Sequence, residues 1–201
     1  MKFLNKELVA DLERGLPVNL NLGVGQRPRT GFYGLDLVEM DGVDVVADLN
    51  EGLPAFPDNS VREINTQHVL EHVDNFMGLM RELYRVVSPD GKLTITVPHF
   101  SNVFGFSDPT HVRFFGLYTM YYFCDAENQP KRKVPAFYSD VRFEVESIFI
   151  NFYRDGVFDR VLGKLMSVLV NRNISAQHFY ERRLSSLYHA DEITYVIKPV
   201  K

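Results

Sequence analysis

The sequence contains a single cysteine, Cys124, and no tryptophan among its 201 residues. One cysteine excludes an internal disulfide and a cysteine-rich zinc module. No apolar run reaches the roughly 18 residues of a membrane span, and the polar N-terminal stretch is unlike a secretory signal. Lys and Arg (22) are fewer than Asp and Glu (26), which argues against nucleic acid or an anionic membrane as a partner. We therefore expect a cytoplasmic protein.

Hydrophobic residues, counted with Ala, Tyr and Cys, make up 45% of the chain. They follow two patterns, one typical of strands and one typical of helices. Short runs bounded by Gly or Pro predict strands at 18–22, 32–37, 43–47, 62–66, 92–97, 143–152 and 192–198. Helical spacing predicts helices at 3–12, 76–87, 114–124, 157–170 and 180–187. This alternation is typical of a Rossmann-like, doubly wound α/β sheet. We predict a mostly parallel sheet with an antiparallel hairpin of the last two strands at its C-terminal edge.

A glycine turn, Gly23-Val24-Gly25, ends the first predicted strand. Ligands bind at the carboxyl ends of strands in open α/β sheets, and glycines there allow close approach to the backbone. The next strand ends at Asp36, which is suited to binding two ribose hydroxyls, and the third ends at Asp48-Leu49, which would bracket a purine ring. The alternative is that both aspartates are ordinary caps of turns or helices.

A dinucleotide fits this turn poorly. Positions 26–31 do not predict the helix whose N-terminus a pyrophosphate needs. Asp36 follows Gly25 by 11 residues, whereas the dinucleotide fingerprint has roughly 20. No tyrosine has a lysine four places on, which disfavours a short-chain NAD-dependent dehydrogenase. The expected ligand is a nucleoside without a pyrophosphate.

Several short motifs occur together in a fixed order: Asn-Leu-Gly-Val-Gly (21–25), Gly-Leu-Asp (34–36), Asp-Leu (48–49), His-Val-Leu-Glu-His (68–72), Ser-Pro-Asp-Gly (88–91) and Val-Pro-His-Phe (97–100). In this order they resemble a class I S-adenosylmethionine-dependent methyltransferase, of the small bacterial branch with a V-L-E-H segment. The resemblance covers roughly residues 18–115. It departs from the branch at Val24, where Cys is frequent, and at Asp90, where Gly is frequent.

The resemblance implies S-adenosylmethionine as the cofactor and a defined set of binding residues. That set comprises Asn21, Gly23 and Gly25 near the amino-acid end, Asp36 on the ribose, Asp48 and Leu49 beside the adenine, and His68 facing the methionine part. Residues 18–100 are then the cofactor-binding core of a single domain, 1–201. The segments 101–142 and 155–190 are acceptor-side insertions, helical and rich in aromatic residues.

Histidines occur where an acceptor would bind. His99 follows the fifth strand, and His111 lies in a polar loop with Asp108 and Arg113. Histidine is the usual base near neutral pH, so we predict His111 or His99 as the general base and Asp108 as the carboxylate that orients it. Arg113 is predicted to hold an anionic group of the acceptor. A structural, hydrogen-bonded role is the alternative for each histidine.

The same histidines, with His68 and His72 four positions apart, raise the alternative of a bound metal ion. Glu71 directly precedes His72, so the pattern H-E-x-x-H is absent. Spacing alone is weak evidence for a metal, and we predict none.

The C-terminal third does not reveal the acceptor. Val157, Val161, Leu165 and Leu169 repeat every four residues, which predicts a helix face that packs in the core, caps the site or forms a homodimer. Tyr180 is predicted to contact the substrate. The predicted function is methyl transfer to an oxygen or nitrogen of a small-molecule or glycan-type acceptor. The alternative is a non-catalytic, S-adenosylmethionine-binding or scaffold protein on the same fold.

Overall fold

The computed structural model describes residues 1–25 and 28–201. Its strands are β1 Lys2–Phe3, β2 Val18–Leu22, β3 Tyr33–Asp36, β4 Val45–Val46, β5 Val61–Gln67, β6 Val87–Pro98, β7 Phe143–Phe152 and β8 Ala190–Pro199. Its α-helices are α1 Lys6–Glu13, α2 Phe76–Val86, α3 Gly156–Val170 and α4 Ile174–Arg183. The sequence predicts no helix at 26–31, directly after the glycine turn. Residues 28–32 are indeed not helical, whereas Gln26 and Arg27 lie outside the described residues.

The described strands form one sheet in the order β1-β4-β3-β2-β5-β6-β8-β7. The run from β4 to β6 is parallel, whereas β1, β8 and β7 pair antiparallel with their neighbours. The chain leaves β2 toward β3 on one side and later adds β5 on the other, so the strand order switches between β2 and β5. The predicted Rossmann-like, mostly parallel sheet with an antiparallel C-terminal hairpin is confirmed.

The core lies on the central strands and under α2. Leu20 and Leu22 of β2 are fully buried, as expected for a strand that is covered on both faces. In α2, the apolar residues recur at helical spacing and form one buried face, in which Leu79, Met80 and Leu83 are fully buried. The helix begins at Asn75, whose side chain accepts the Gly78 N–H and so satisfies one of the unpaired amides of the first turn.

Two predicted elements differ in the structure, one helix and one turn. The helix expected at 114–124 is reduced to a 3-10 turn at Met120–Phe123, and the start of the segment is extended, with Phe115 in a β-bridge to His99. The aromatic residues of this segment still pack in the core, as Phe115 and Phe123 are 1% exposed. The turn expected at 89–91 is an irregularity inside β6, where the register against β5 shifts.

The apolar stripe of α3 faces outward. Val157, Val161 and Leu165 are 77%, 69% and 52% exposed. The helix packs through its other side, where a Cβ on Gly163 would lie 2.6 Å from the Tyr153 carbonyl oxygen. Core packing, one of the three roles that the spacing suggested for this stripe, is therefore wrong. Among the described residues, none of the helices has the length and apolar character needed to cross a membrane.

Candidate functional site

A cleft of about 950 Å³ opens at the carboxyl ends of β2, β3 and β5. It lies at the point where the strand order switches, which is where open α/β sheets bind ligands. All the residues that the resemblance assigned to the cofactor line this cleft: Asn21, Gly23, Gly25, Asp36, Asp48, Leu49 and His68. The fold thus brings together side chains from several separate strand ends.

The glycine turn requires glycine at its first position. Gly23 has φ 71°, and a Cβ there would lie 2.1 Å from Val69 Cγ2. Gly25 also has positive φ, 51°, but a Cβ there would meet no atom within 4 Å, so this side of the turn is open. The Gly25 N–H donates to Asp36 Oδ2 at 3.1 Å, which fixes the turn against the end of β3.

The two aspartates bind backbone groups at the edge of the cleft. Asp36 Oδ1 accepts the Leu37 N–H at 2.7 Å. Asp48 caps the 3-10 helix Leu49–Glu51 by accepting the Asn50 N–H at 2.9 Å. The capping role considered from the sequence is thus present at both aspartates, since Asp36 also accepts backbone N–H groups of the adjoining turns. Both carboxylates nevertheless line the cleft.

A hydrogen-bonded chain of polar side chains lies beneath the turn. Asn21 is 5% exposed, and its Oδ1 accepts from Asn65 Nδ2 at 2.7 Å. Arg29 Nη1 donates to Asn65 Oδ1 at 2.6 Å. These bonds connect β2, β5 and the segment after the turn, so they hold the floor of the cleft in one arrangement.

His68 forms a charged group with two carboxylates at the end of β5. Its Nε2 lies 2.6 Å from Glu192 Oε1, and its Nδ1 lies 3.4 Å from Glu71 Oε1. The hydrogen bond to Glu192, followed by the contact with Glu71, raises the pKa of His68 to about 10. The imidazole is therefore protonated at neutral pH. Beside it, burial raises the pKa of Asp191 above its ordinary value.

A second histidine, His72, also lines the cleft and contacts His111. The two rings meet edge to face, with centroids 4.8 Å apart. His72 Nδ1 lies 2.8 Å from Thr110 Oγ1, which donates to Asp108 Oδ1 at 2.6 Å. The bonds from Thr110 lower the pKa of Asp108, and Asp108 Oδ2 lies 3.7 Å from His111 Nε2.

His111 and Asp108 do not themselves line the cleft, and neither do the other predicted acceptor-side residues. The His99 ring is fully buried, between Ser101 Oγ at 2.8 Å and Glu181 Oε1 at 3.2 Å. Tyr180 is fully buried in the core, where its hydroxyl donates to the Tyr188 carbonyl oxygen, so its side chain has no surface for a substrate. Arg113 Nη1 donates to the Val73 carbonyl oxygen at 2.7 Å, and its guanidinium lies over the Phe76 ring.

Sequence reasoning missed several residues of the cleft. Asp191 and Glu192 line it from the start of β8, and Asn65 lines it from β5. Asp191 directly precedes the strand predicted at 192–198 and Glu192 begins it; the antiparallel pairing of β8 with β6 brings both to this edge of the sheet. The position of these two residues at the cleft follows from the order of the strands in the sheet, which the sequence pattern does not show.

The comparisons with known proteins agree with this geometry. Residues 31–95 match the family model of a methyltransferase domain. A methyltransferase dependent on S-adenosylmethionine from Archaeoglobus fulgidus is similar in structure, with 18% identity, a TM-score of 0.57, and 96% of this chain and 94% of that chain covered. The YcgJ protein of Bacillus subtilis is also similar, with 14% identity, a TM-score of 0.53, and 96% and 97% covered. No curated protein matches the sequence.

The fold, the cleft at the strand switch and the domain match point the same way. In its fold and in residues 31–95 this chain is similar to methyltransferases that depend on S-adenosylmethionine. The cleft fits that cofactor, because it has a glycine turn with an open side and a carboxylate, Asp36, on the next strand end. The family match covers about a third of the chain and lies within the half that carries the glycine turn and the aspartates.

Proposed function

We propose that this protein transfers the methyl group of S-adenosylmethionine to an oxygen or nitrogen of a small-molecule or glycan-type acceptor. The observation that carries the proposal is the convergence of the seven cofactor-assigned residues on one cleft at the strand switch. Chance would not place the ends of β2, β3, β4 and β5 with suitable groups around the same space.

The cofactor half of the cleft is assigned residue by residue. Gly23 and Gly25, with Asn21 beneath them, bind the amino-acid end through the backbone of the turn. Asp36 accepts hydrogen bonds from the ribose hydroxyls. Asp48 and Leu49 flank the adenine from the segment after β4, and His68 faces the methionine part, held in place by Glu192 and Glu71.

S-adenosylmethionine supplies the methyl group as part of a sulfonium, which is already a strong electrophile. The protein therefore has to align the acceptor and remove its proton. We assign proton removal to the cluster of His72, His111 and Asp108. His72 faces the cleft, and Asp108 is placed to orient His111. The burial of His99 between Ser101 and Glu181 favours His111 over His99 as the base.

The charge of the cleft favours an acceptor without phosphate groups. Asp191 and Glu192 line the side next to His68, and the net charge of the chain is −4. Negative side chains repel phosphate-bearing substrates such as nucleic acid. This supports a small-molecule or glycan-type acceptor.

Calorimetric titration of the purified protein tests the proposal. S-adenosylmethionine and S-adenosylhomocysteine are titrated separately, with NAD as the control. Micromolar binding of either methionine-derived ligand and none of NAD is the expected result. Absence of binding would reject the proposal. In the second step, His111→Ala is expected to lower turnover and to spare cofactor binding, whereas binding without turnover of any acceptor would favour the scaffold alternative.

The homodimer and the division of the domain stay predictions. The exposed face of α3, formed by Val157, Val161, Leu165 and Leu169, is the surface that we assign to a second copy of this chain. Light scattering coupled to size-exclusion chromatography measures this directly. A monomer at all concentrations would reject the dimer. The single domain 1–201, with its core at 18–100, would unfold in one calorimetric transition.

A further inference from the structure

We propose that Glu71, His72 and His111 form a binding site for one divalent transition-metal ion, of which Zn²⁺ is the type. One ligand atom from each residue lies within 4.8 Å of the others. Zinc binds imidazole nitrogen and carboxylate oxygen at about 2.0–2.2 Å. The three ligand atoms are near enough to share one ion once the side chains rotate toward each other.

The Glu71 carboxylate is the observation that points to a cation. It is 1% exposed, and neither of its oxygens receives a hydrogen bond among the described residues. Its contact with His68 Nδ1 is 3.4 Å long, and Glu192 approaches the same imidazole more closely, at 2.6 Å. A buried carboxylate is costly unless it is paired and hydrogen-bonded. A cation held between Glu71, His72 and His111 would give this carboxylate a close partner in addition to its long contact with His68.

His72 has the tautomer and the orientation that a metal ligand needs. Its Nδ1 lies 2.8 Å from Thr110 Oγ1 and 3.3 Å from the Thr110 carbonyl oxygen. A carbonyl only accepts, and the hydroxyl proton of Thr110 is donated to Asp108, so His72 Nδ1 carries the proton. The lone pair is then on Nε2. Metal-bound histidines commonly donate their other ring nitrogen to an acceptor in this way.

His111 is held beside this pair by the loop that carries it. The Val112 N–H donates to the Glu71 carbonyl oxygen at 2.9 Å, which fixes the loop against the segment 70–72. The His111 ring is half-buried and lies edge to face with His72 at 4.8 Å. Asp108 lies 3.7 Å from His111 Nε2 and is connected to His72 through the Thr110 hydroxyl.

The ligand set selects the kind of ion. Mg²⁺ and Ca²⁺ prefer oxygen ligands, whereas two imidazoles and a carboxylate suit Zn²⁺ and its neighbours in the first transition row. Because His72 lines the cleft, an open coordination position would face the acceptor. This inference rests on the function proposed above and changes how its histidine cluster acts. With one nitrogen of His72 and one of His111 on the ion, the cluster would lower the pKa of a bound acceptor instead of taking its proton directly. The acceptor oxygen or nitrogen would lose its proton to solvent and form the bond to the methyl carbon as the bond from sulfur to that carbon breaks.

The test uses the full chain, freed of metal by a chelator and dialysed. Zn²⁺ is titrated by calorimetry, and Co²⁺ serves as a second probe through its absorption spectrum. The expected result is one ion per chain. Glu71→Gln and His111→Ala are each expected to weaken binding about tenfold or more. The matched control is His178→Ala, because this imidazole contacts Tyr118 away from the cluster; its affinity for Zn²⁺ should equal that of the wild type.

Circular dichroism of each variant separates loss of the site from loss of the fold. The proposal is overturned if no stoichiometric Zn²⁺ binds, or if folded Glu71→Gln and His111→Ala bind it as His178→Ala does. S-adenosylmethionine is titrated in parallel into the metal-free chain. Cofactor binding without Zn²⁺ binding rejects the metal site and leaves the proposed function standing. Stoichiometric Zn²⁺ without cofactor binding supports the metal site and rejects the proposed function.

Discussion

The chain up to Pro98 and the chain after it bury their apolar helices differently. Both α2 and α3 carry apolar residues at helical spacing, but α2 buries Leu83 completely whereas α3 leaves Leu165 52% exposed. The helix α2 connects the parallel strands β5 and β6, and such a crossover has to lie on a sheet face. The helix α3 follows the edge strand β7 and is not bound by that requirement. Periodicity therefore predicts a helix, and topology decides what the helix covers.

The two sides of the cleft differ in the same way. The cofactor side is built from short segments at strand ends, where backbone geometry is decided locally by Gly23 and by caps such as Asp48. The other side depends on contacts between distant segments. The hydrogen bond from the Val112 N–H to the Glu71 carbonyl oxygen brings His111 beside His72. Four substitutions sharpen this comparison between the early and late halves of the chain.

The largest effect is expected for Leu83→Ala in α2. The side chain is fully buried, so its truncation leaves a cavity and lowers the free energy of unfolding by about 2–5 kcal/mol. Urea denaturation followed by circular dichroism measures the change. A loss below about 1 kcal/mol would show that α2 is not the core helix that its burial indicates.

Next in size is Asp36→Ala on the cofactor side. Hydrogen bonds to a charged group contribute about 1.5–3 kcal/mol each, so S-adenosylmethionine affinity should fall at least about tenfold. Asp41→Ala is the matched control, because Asp41 is an exposed acid outside the cleft. Calorimetry measures both variants. Equal affinities would remove the ribose role from Asp36.

A moderate loss of stability is expected for Glu82→Gln, because Glu82 joins α2 to the segment at Leu53 by a hydrogen bond. The Arg85 guanidinium and the Leu53 N–H hydrogen-bond the Glu82 carboxylate and lower its pKa. The depressed pKa means that the stabilisation is present above the unfolded-state pKa and is lost as pH falls through the folded-state pKa. At pH 7 the variant should be less stable by about 1 kcal/mol.

Unfolding curves at neutral and acidic pH check this dependence. The difference between the wild type and Glu82→Gln should shrink on acidification. Glu51→Gln, at an exposed position, is the control and should show no such trend. A difference that stays constant with pH would mean that the ionised carboxylate of Glu82 does not fasten the helix.

The smallest effect is expected for Leu165→Ala in α3. The side chain is more than half exposed in the single chain, so the free energy of unfolding of a dilute monomer should change by less than about 0.5 kcal/mol. The same denaturation assay measures it beside Leu83→Ala. A loss of several kcal/mol would place the apolar face of α3 in a buried interface and erase the contrast between the two helices.

Features that depend on interactions between residues near each other in the chain could be predicted from the sequence, and features that depend on distant contacts could not. The glycine turn, the strand ends at Asp36 and Asp48 and the amphipathic α2 follow from hydrogen bonds and periodicity within a few residues. The reduction of 114–124 to a 3-10 turn does not, because the bridge between Phe115 and His99 competes with helix formation. His99 and Tyr180 likewise look accessible in sequence and lie in the interior of the fold.

By itself the sequence determined the class of fold, the early strands with α2, and which residues stand at the strand ends, because these features depend on local propensity and on spacing. Only the tertiary structure decided that Asp191 and Glu192 reach the cleft, that Glu71, His72 and His111 meet, and that the stripe of α3 faces outward. These outcomes depend on pairings between residues far apart in the chain, such as β6 with β8, and spacing along the sequence carries no record of which distant segments pair.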